Sequence, residues 1–202
     1  MADLFERYTA ADVRDLITEY PLAWLLGAQG VAAQAAQLPL LGEYGEAGDL
    51  RSLFGHIPRR HALVPAWEAN PSALVLFQGP QAYISPDQAG IRGWAPTWNF
   101  AQLSIEVDVE ILPDETGAAL ASLVDAMEAA RPDPWSADEL GERYAGLARH
   151  VVAFRAHVKR AVGRFKLGQD EHADVRESII RSLGAAPLAS WMRRFVREGD
   201  AS

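Results

Sequence analysis

An eleven-residue stretch of strict alternation, residues 101–111, restricts the fold of this chain more than any other feature. Its apolar positions are Ala101, Leu103, Ile105, Val107, Val109 and Ile111, and polar residues separate them. Because successive side chains of a β-strand point to opposite faces, this period of two predicts a strand with one buried face. Glu106, Asp108 and Glu110 fall on the other face, which is expected to be wet and acidic.

Other short apolar segments predict more strands. Strands are predicted at residues 22–26, 31–41, 49–57, 73–85 and 151–162, with a turn at Gly42–Gly48. The segment 73–85 is predicted to be a pair of strands, because Gly79 and Pro80 interrupt its apolar run. Successive short strands with tight turns favour a barrel or sandwich of about six or seven antiparallel strands over a parallel sheet.

Helical spacing of apolar residues predicts helices on the flanks of this sheet. The first is capped by Thr9 and ends at Pro21, and a short one at 59–67 is expected to be broken by Pro65. Further helices are predicted at 115–130, at 136–149 behind a capping box, from Asp170 to Leu183, and at 188–196. Residues 87–95 form a loop. The fold class is therefore α+β, a single domain over residues 1–202 with C-terminal helices from about residue 170.

Composition and missing motifs exclude several kinds of function. The 202 residues include no cysteine and carry a formal charge of -8, so disulfides and thiolate sites are excluded and direct nucleic-acid binding is not expected. No secretory signal or membrane-length apolar run is visible, which predicts a cytoplasmic protein. The five histidines are scattered, and no nucleotide-loop, hydrolase or zinc motif occurs, so neither a metal site nor a catalytic side chain is predicted.

Two neighbouring stretches carry polar and aromatic residues that a core does not need. They are "FQGPQAYISP" (Phe77–Pro86) and "PTWNF" (Pro96–Phe100). Aromatic rings next to amide and hydroxyl groups are typical of a site for a flat ligand. Such a site is therefore expected where these stretches meet.

These stretches, followed by "GRFKLGQ" (Gly163–Gln169), resemble the PaiB-type family of FMN-binding negative transcriptional regulators. "QLPLL" (Gln37–Leu41) and "GHIPRR" (Gly55–Arg60) also fall where that family has similar motifs, and the resemblance runs from about Pro21 to Leu183. It implies a flavin-binding split barrel, like the pyridoxamine-phosphate oxidases. It also implies a homodimer with flavin sites at the interface and FMN as the cofactor.

The resemblance also implies roles for particular residues. Arg59 is the first choice for the FMN phosphate, because a guanidinium can bind phosphate through two parallel hydrogen bonds. Lys166 is a second cation, with the partner subunit as its source, and Trp98 walls the isoalloxazine ring. The remaining residues offer polar contacts to the cofactor, and they are Gln78, Tyr83, Ser85, Thr97, Asn99 and Gln169.

Each role has a structural alternative. Trp98 and Tyr83 could be core or interface aromatics, Lys166 a surface lysine, and Arg59 a member of a dimer salt bridge. Asn99 could tie down the preceding loop. Asp170, which stands where the family has a neutral amide, either opposes the phosphate or caps the next helix.

Three functions remain open on the sequence. The first is a PaiB-like FMN-binding regulator. The second is a flavin-dependent oxidoreductase that acts on a small molecule. The third is a cofactor-free interaction protein on the same fold.

Overall fold

The computed structural model describes residues 3–29, 31 and 34–195, and its strands form one sheet. They are β1 Leu22–Gly27, β2 Ala35–Pro39, β3 Leu41–Tyr44, β4 Leu50–Pro58, β5 Ser72–Ile84, β6 Thr97–Leu112 and β7 Val151–Lys166. The order in the sheet is β2-β1-β5-β6-β7-β4-β3. The β1–β2, β1–β5, β3–β4 and β4–β7 pairs are antiparallel. The predicted antiparallel β-core is confirmed.

The helices lie between and after these strands, as the α+β prediction requires. They are α1 Ala10–Glu19, α2 Leu63–Ala69, α3 Pro86–Ala89, α4 Thr116–Glu128, α5 Arg143–Ala148, α6 Ala173–Leu183 and α7 Pro187–Arg194. The predictions for α1 and α4 agree with the structure to within two residues. The end predicted for the last helix, Val196, lies outside the described residues.

The described residues group into two compact units. The smaller unit contains residues 3–9, 78–103 and 162–195, and the larger unit contains residues 10–77 and 104–161. Strands β5, β6 and β7 each contribute residues to both units. That the chain forms a single domain stays a prediction.

Each unit has its own apolar core. In the larger unit the core combines aliphatic residues such as Leu25, Leu53 and Ile105 with an aromatic pair, Trp67 and Phe154, whose ring centroids are 5.1 Å apart. In the smaller unit three stacked rings dominate: Phe165 lies 6.0 Å from Trp191 and 5.1 Å from Phe195. All three rings are buried.

Strand β6 confirms the predicted alternation, and β7 supplies cations to its acidic face. Leu103, Ile105 and Val107 are buried, whereas Glu106 and Glu110 are exposed and Asp108 is half-buried. Two ion pairs and one hydrogen bond to a histidine join this face to β7, and they are Glu106–Arg160 (3.9 Å), Asp108–Lys159 (3.2 Å) and Glu110–His157 (2.9 Å). The face is therefore wet, as expected, and the β7 cations offset its charge.

The predicted interruption at Gly79 and Pro80 is wrong, because β5 runs unbroken from Ser72 to Ile84. Both Gly79 and Pro80 are buried, and the side of the strand that faces the core changes there. The fixed φ of proline lies within the range of extended backbone, so Pro80 removes one donor without ending the strand. The two residues thus reorient the strand, and Tyr83 becomes exposed.

Two predicted boundaries of strands and turns are also wrong. Residues 42–44, placed in a turn, belong to strand β3, and the turn itself is confined to the residues after Tyr44. Strand β7 continues to Lys166, four residues beyond its predicted end. The continuation matters because it places the "GRFK" segment on a strand with a fixed register.

Three predicted helix boundaries are wrong for local reasons. Pro65 does not break α2, because it lies in the first turn, where a backbone N–H has no partner within the helix. The capping box at Ser136 opens only a 3-10 turn, Ala137–Leu140, which ends at Gly141 with φ 52°. The N-cap of α6 is His172, so Asp170 does not cap that helix.

Candidate functional site

An exposed aromatic pair marks the smaller unit. Strand β5 carries Tyr83 and strand β6 carries Trp98, which are 48% and 54% exposed. Their ring centroids are 6.1 Å apart with an interplanar angle of 65°, an edge-to-face contact. Neither ring is in the core, so the core alternative for these two residues is excluded.

A cation and a hydroxyl lie together where β6 begins and β7 ends. Lys166, at the end of β7, donates a hydrogen bond of 2.5 Å from Nζ to Oγ1 of Thr97, at the start of β6. Both side chains are half-buried. Thr97 and Trp98 are consecutive in β6, so their side chains leave the strand on opposite faces, and the ammonium group and the aromatic pair share only this end of the strand. Lys166 is thus anchored within the fold, unlike a freely solvated surface lysine.

The N-terminal segment adds charge next to Lys166. Arg164, two residues earlier on β7, donates to Oδ2 of Asp3 at 2.8 Å, and the Phe5 ring lies 5.3 Å from its guanidinium carbon. The same ring lies 5.8 Å from the Nζ atom of Lys166. The backbone N–H of Phe5 and the guanidinium of Arg164 hold the pKa of Asp3 below its ordinary value.

Arg164 was not among the predicted site residues. The segment "GRFK" offered the signal, since residues two apart on a strand share a face. A strand prediction that reached Lys166 would have placed both cations on the same side.

Four of the predicted polar residues bond mainly to their own surroundings. Asn99 is buried and its Nδ2 donates to the sulfur of Met192 at 3.8 Å, so it faces the core. Gln169 closes its own loop, accepting from the N–H of Leu167 at 2.7 Å and donating to the carbonyl of Phe165 at 2.5 Å.

The other two are Ser85 and Gln78. Ser85 caps α3 through a reciprocal capping box with Gln88. Gln78 is exposed and makes one long hydrogen bond, 3.5 Å, to the carbonyl of Ala101. The roles of these four side chains toward a cofactor stay predictions.

Arg59 belongs to the larger unit. Its side chain is exposed, and its Nε donates to the carbonyl of Arg149 at 3.2 Å. Its backbone N–H donates to the carbonyl of His150 at 2.9 Å, which fixes the residue next to the first residues of β7. Within the described part of the chain, no carboxylate pairs with Arg59. Its predicted roles toward a phosphate or a dimer salt bridge stay predictions.

A comparison with known families identifies the chain. A family model described as "Putative FMN-binding domain" matches residues 1–160, more than three quarters of the sequence. The chain belongs to this FMN-binding family. The match confirms the family resemblance that the motifs indicated.

Two curated relatives and one solved structure are similar to this family member. It is 24% identical to protease synthase and sporulation protein PAI 2 of Bacillus subtilis over 89% of this chain and 86% of that protein. It is 28% identical to an uncharacterized protein of Aspergillus fumigatus, over 54% of this chain, and spans about half of that protein's length. An FAD and heme binding protein of Mycobacterium smegmatis has a similar structure: TM-score 0.57, 15% identity, covering 90% of this chain and 81% of that one.

The structural likeness shows a shared fold, and the seven-stranded antiparallel sheet with flanking helices confirms the predicted split barrel. Across residues 3–29, 31 and 34–195, no helix is both long and apolar enough to cross a membrane. The same residues contain no group of three histidine, cysteine or acidic side chains that could hold a metal ion.

Proposed function

We propose that this chain binds FMN and acts as a PaiB-like negative transcriptional regulator, as a cytoplasmic homodimer. The FMN-binding family supports the cofactor, and the similarity to PAI 2 supports the PaiB-like class. The family resemblance suggests the homodimer, the cytoplasmic location and the regulatory role.

One observation supports flavin binding most directly. The smaller unit carries the exposed Tyr83–Trp98 pair on β5 and β6, and it carries the Thr97–Lys166 hydrogen bond between β6 and β7. An exposed aromatic surface suits a planar ring, and an anchored ammonium group suits the anionic chain that such a ring carries. The residues present therefore fit the group that the family binds.

In this proposal each side chain has a physical task. Trp98 and Tyr83 offer their rings to the isoalloxazine, and Lys166 offers its charge to the phosphate, with Thr97 holding the ammonium in place. Arg59 is proposed as a further phosphate ligand, and Gln78, Ser85, Asn99 and Gln169 as polar contacts or as supports of the surrounding loops. When bound, FMN would supply the capacity for electron transfer.

A flavin-dependent oxidoreductase is the second candidate, and the charge distribution favours it over direct DNA binding. Three basic residues of β7 are paired with acids: Arg160 with Glu106, Lys159 with Asp108 and Arg164 with Asp3. A protein that reads DNA neutralises phosphates with cations left available for that purpose. A cofactor-free interaction protein is the third alternative.

The test is a flavin titration of the purified chain. Wild-type protein is expected to co-purify with FMN or to bind added FMN with a change in flavin fluorescence. Trp98→Ala should weaken this binding about tenfold, since stacking on an aromatic side chain contributes about 1–3 kcal/mol. Trp135→Ala removes an indole from the larger unit and is the matched control.

The outcomes separate the three functions. Protein that neither carries nor binds FMN leaves only the interaction protein. Anaerobic bleaching of bound flavin by NADH or NADPH favours the oxidoreductase. A gel-shift at moderate salt with the upstream DNA of the protein's own gene tests direct regulation, and an unshifted band contradicts it.

A further inference from the structure

Helix α6 of the smaller unit carries a buried charge, Arg176, whose side chain is only 6% exposed. Its backbone N–H donates to the carbonyl of His172. Within the described residues its guanidinium makes no hydrogen bond, and no carboxylate pairs with it. Removing a charge from water is costly unless an opposite charge or hydrogen bonds compensate for it. Arg176 therefore lacks the anion that a buried guanidinium requires.

The acids closest to Arg176 in the sequence are bonded to other groups. Glu171 accepts from the indole of Trp94 at 3.0 Å, Asp174 accepts from the backbone N–H of Val175 at 2.9 Å, and Glu177 pairs with Arg181 at 4.0 Å. Asp170 is exposed and forms no ion pair with Arg176. The charge of Arg176 is therefore not neutralised by its own helix or by the loop that precedes it.

A glycine brings the stem of Arg176 against the loop that follows β7. Gly168 has a φ of 85°, and a Cβ atom placed there would lie 3.5 Å from Cγ of Arg176 and 3.1 Å from Cε of Met192. Lys166, the last residue of β7, lies two residues before this glycine. The same short segment thus carries the ammonium group of Lys166 and receives the side chain of Arg176.

A buried amide contacts Met192 from the opposite direction. Asn99 is 2% exposed, and the one hydrogen bond of its side chain runs from Nδ2 to the sulfur of Met192 at 3.8 Å. Thioether sulfur is a weak acceptor, so this amide can still donate to a stronger one. Thr97 shares the face of β6 with Asn99 and accepts from Lys166. The amide and the ammonium group therefore lie on the same face of β6.

From these contacts we propose that Arg176, Lys166 and Asn99 form a binding site for the phosphate group of a monoester. Two positive charges match a phosphate dianion better than a monocarboxylate. A guanidinium can bind phosphate through two parallel hydrogen bonds, and the amide offers a further donor. The proposal adds Arg176 to the phosphate ligands named above, but it does not rest on flavin binding.

Thermal unfolding of the purified full chain tests the site, with inorganic phosphate as the probe. The melting temperature is measured at pH 8 in Tris chloride, with phosphate or acetate added at the same low ionic strength. A ligand that binds only the folded state, at about ten times its Kd, raises the melting temperature of a chain of this size by about 3–6 °C. Wild type is expected to show this rise with phosphate and not with acetate.

Arg176→Met tests the unpaired charge itself. Without phosphate, the melting temperature of this variant should equal or exceed that of wild type, because an apolar side chain replaces a buried charge that has no partner. The rise with phosphate should disappear. Arg181→Met is the matched control, since it makes the same substitution at an exposed position of the same helix. This control should keep the wild-type rise.

A second variant provides the test if Arg176→Met does not fold. Arg176→Lys retains the charge but lacks the planar fork, so it should weaken phosphate binding about tenfold in isothermal titration calorimetry. A wild type whose melting temperature responds equally to phosphate and acetate overturns the proposal. So does wild-type phosphate binding in both Arg176→Met and Arg176→Lys.

Flavins distinguish the two sources of the phosphate group. If the phosphate of FMN occupies the site, saturating FMN should abolish the rise with inorganic phosphate, whereas saturating riboflavin should leave the rise unchanged. A rise that persists with saturating FMN supports a site for a separate phosphate ester. A chain that binds no flavin but responds to phosphate contradicts the proposed function and still supports the phosphate site.

Discussion

The two units of this chain expose apolar side chains in different ways. In the smaller unit Tyr83 and Trp98 stand exposed on strands, and several other polar groups of the unit are already bonded within the fold, as in the Lys166–Thr97 hydrogen bond. In the larger unit apolar residues, together with His150, line a cavity of about 400 Å³. A pair of rings on neighbouring strands suits a flat ligand, whereas an apolar cavity suits a ligand that is recognised mainly by its shape.

The two units also differ in how their cores are built. The smaller unit depends on a compact aromatic stack around Phe165 and Trp191, packed beneath the end of β7. The larger unit spreads its core over many aliphatic residues and one aromatic pair. Changes to the stack should therefore have a larger effect per residue than changes to exposed aromatics in the same unit.

The largest expected effect is on stability. Trp191→Ala should lower the free energy of unfolding by about 3–5 kcal/mol, because it leaves a cavity in the stack beneath β7. Denaturant unfolding followed by circular dichroism measures this change. Trp98→Ala, which removes an exposed indole, is the control and should cost less than about 1 kcal/mol. Similar losses in the two variants would contradict the distinction between core and exposed rings.

A smaller effect is expected for the cation of the larger unit. Arg59→Ala should weaken FMN binding by about 2–4 kcal/mol if its guanidinium binds the phosphate. The measurement is an FMN titration of wild type and variant, with exposed Arg51→Ala as the control. Unchanged FMN affinity would show that Arg59 does not bind the phosphate.

The third prediction concerns Lys166 and compares the binding of FMN with the binding of riboflavin, which lacks the phosphate. Lys166→Met should weaken FMN binding by about 1.5–3 kcal/mol, the range for hydrogen bonds to charged groups, and leave riboflavin binding unchanged. Lys159→Met is the matched control, because the sequence has only these two lysines and Lys159 pairs with Asp108 in the larger unit. A parallel loss for FMN and riboflavin would place Lys166 at the ring rather than at the phosphate.

The sequence predicted the fold well where burial and periodicity agree. Residues 101–111 alternate strictly, and β6 follows them because the apolar residues from Ala101 to Val109 have a core to enter. The failure at Gly79 and Pro80 has an equally local cause: the two residues change which side of β5 faces the core but leave the backbone extended. Glycine and proline in a sequence indicate a turn, but they do not show whether the strand ends there or only changes the side that faces the core.

The candidate site was predicted in part for a related reason. Thr97, Trp98, Tyr83 and Lys166 were recognisable as groups without a role in a core, and in the smaller unit the sheet brings Tyr83 to Trp98 and Lys166 to Thr97. Ser85 and Gln169 have the same chemistry but bond to their own backbone neighbours, a local competition that side-chain type alone does not reveal. The cavity in the larger unit was not predicted, because periodicity shows which face of a helix is apolar but not what fills the space opposite.

The smallest expected effect is a pH-dependent contribution from an ion-pair cluster in the larger unit. Arg155 donates from Nε to Glu43 at 2.8 Å and from Nη2 to Glu115 at 3.0 Å, and Ser52 donates to the same Glu43 carboxylate. Burial pushes the pKa of Glu43 upward, but the hydrogen bonds from Arg155 and Ser52 outweigh it, so its pKa lies below its ordinary value. The same carboxylates raise the pKa of Arg155.

A lowered pKa in the folded state means that the carboxylate stabilises the fold when it is charged. The contribution is therefore complete above the ordinary value of 4.5 and is lost as the pH falls through the folded-state pKa. Glu43→Gln should lower the free energy of unfolding at pH 7 by about 1 kcal/mol or less, since both carboxylates are partly exposed to solvent. The difference from wild type should shrink at pH 3, whereas exposed Glu46→Gln should show no difference at either pH. A Glu43→Gln deficit that persists at pH 3 would mean that the carboxylate acts through packing rather than through its charge.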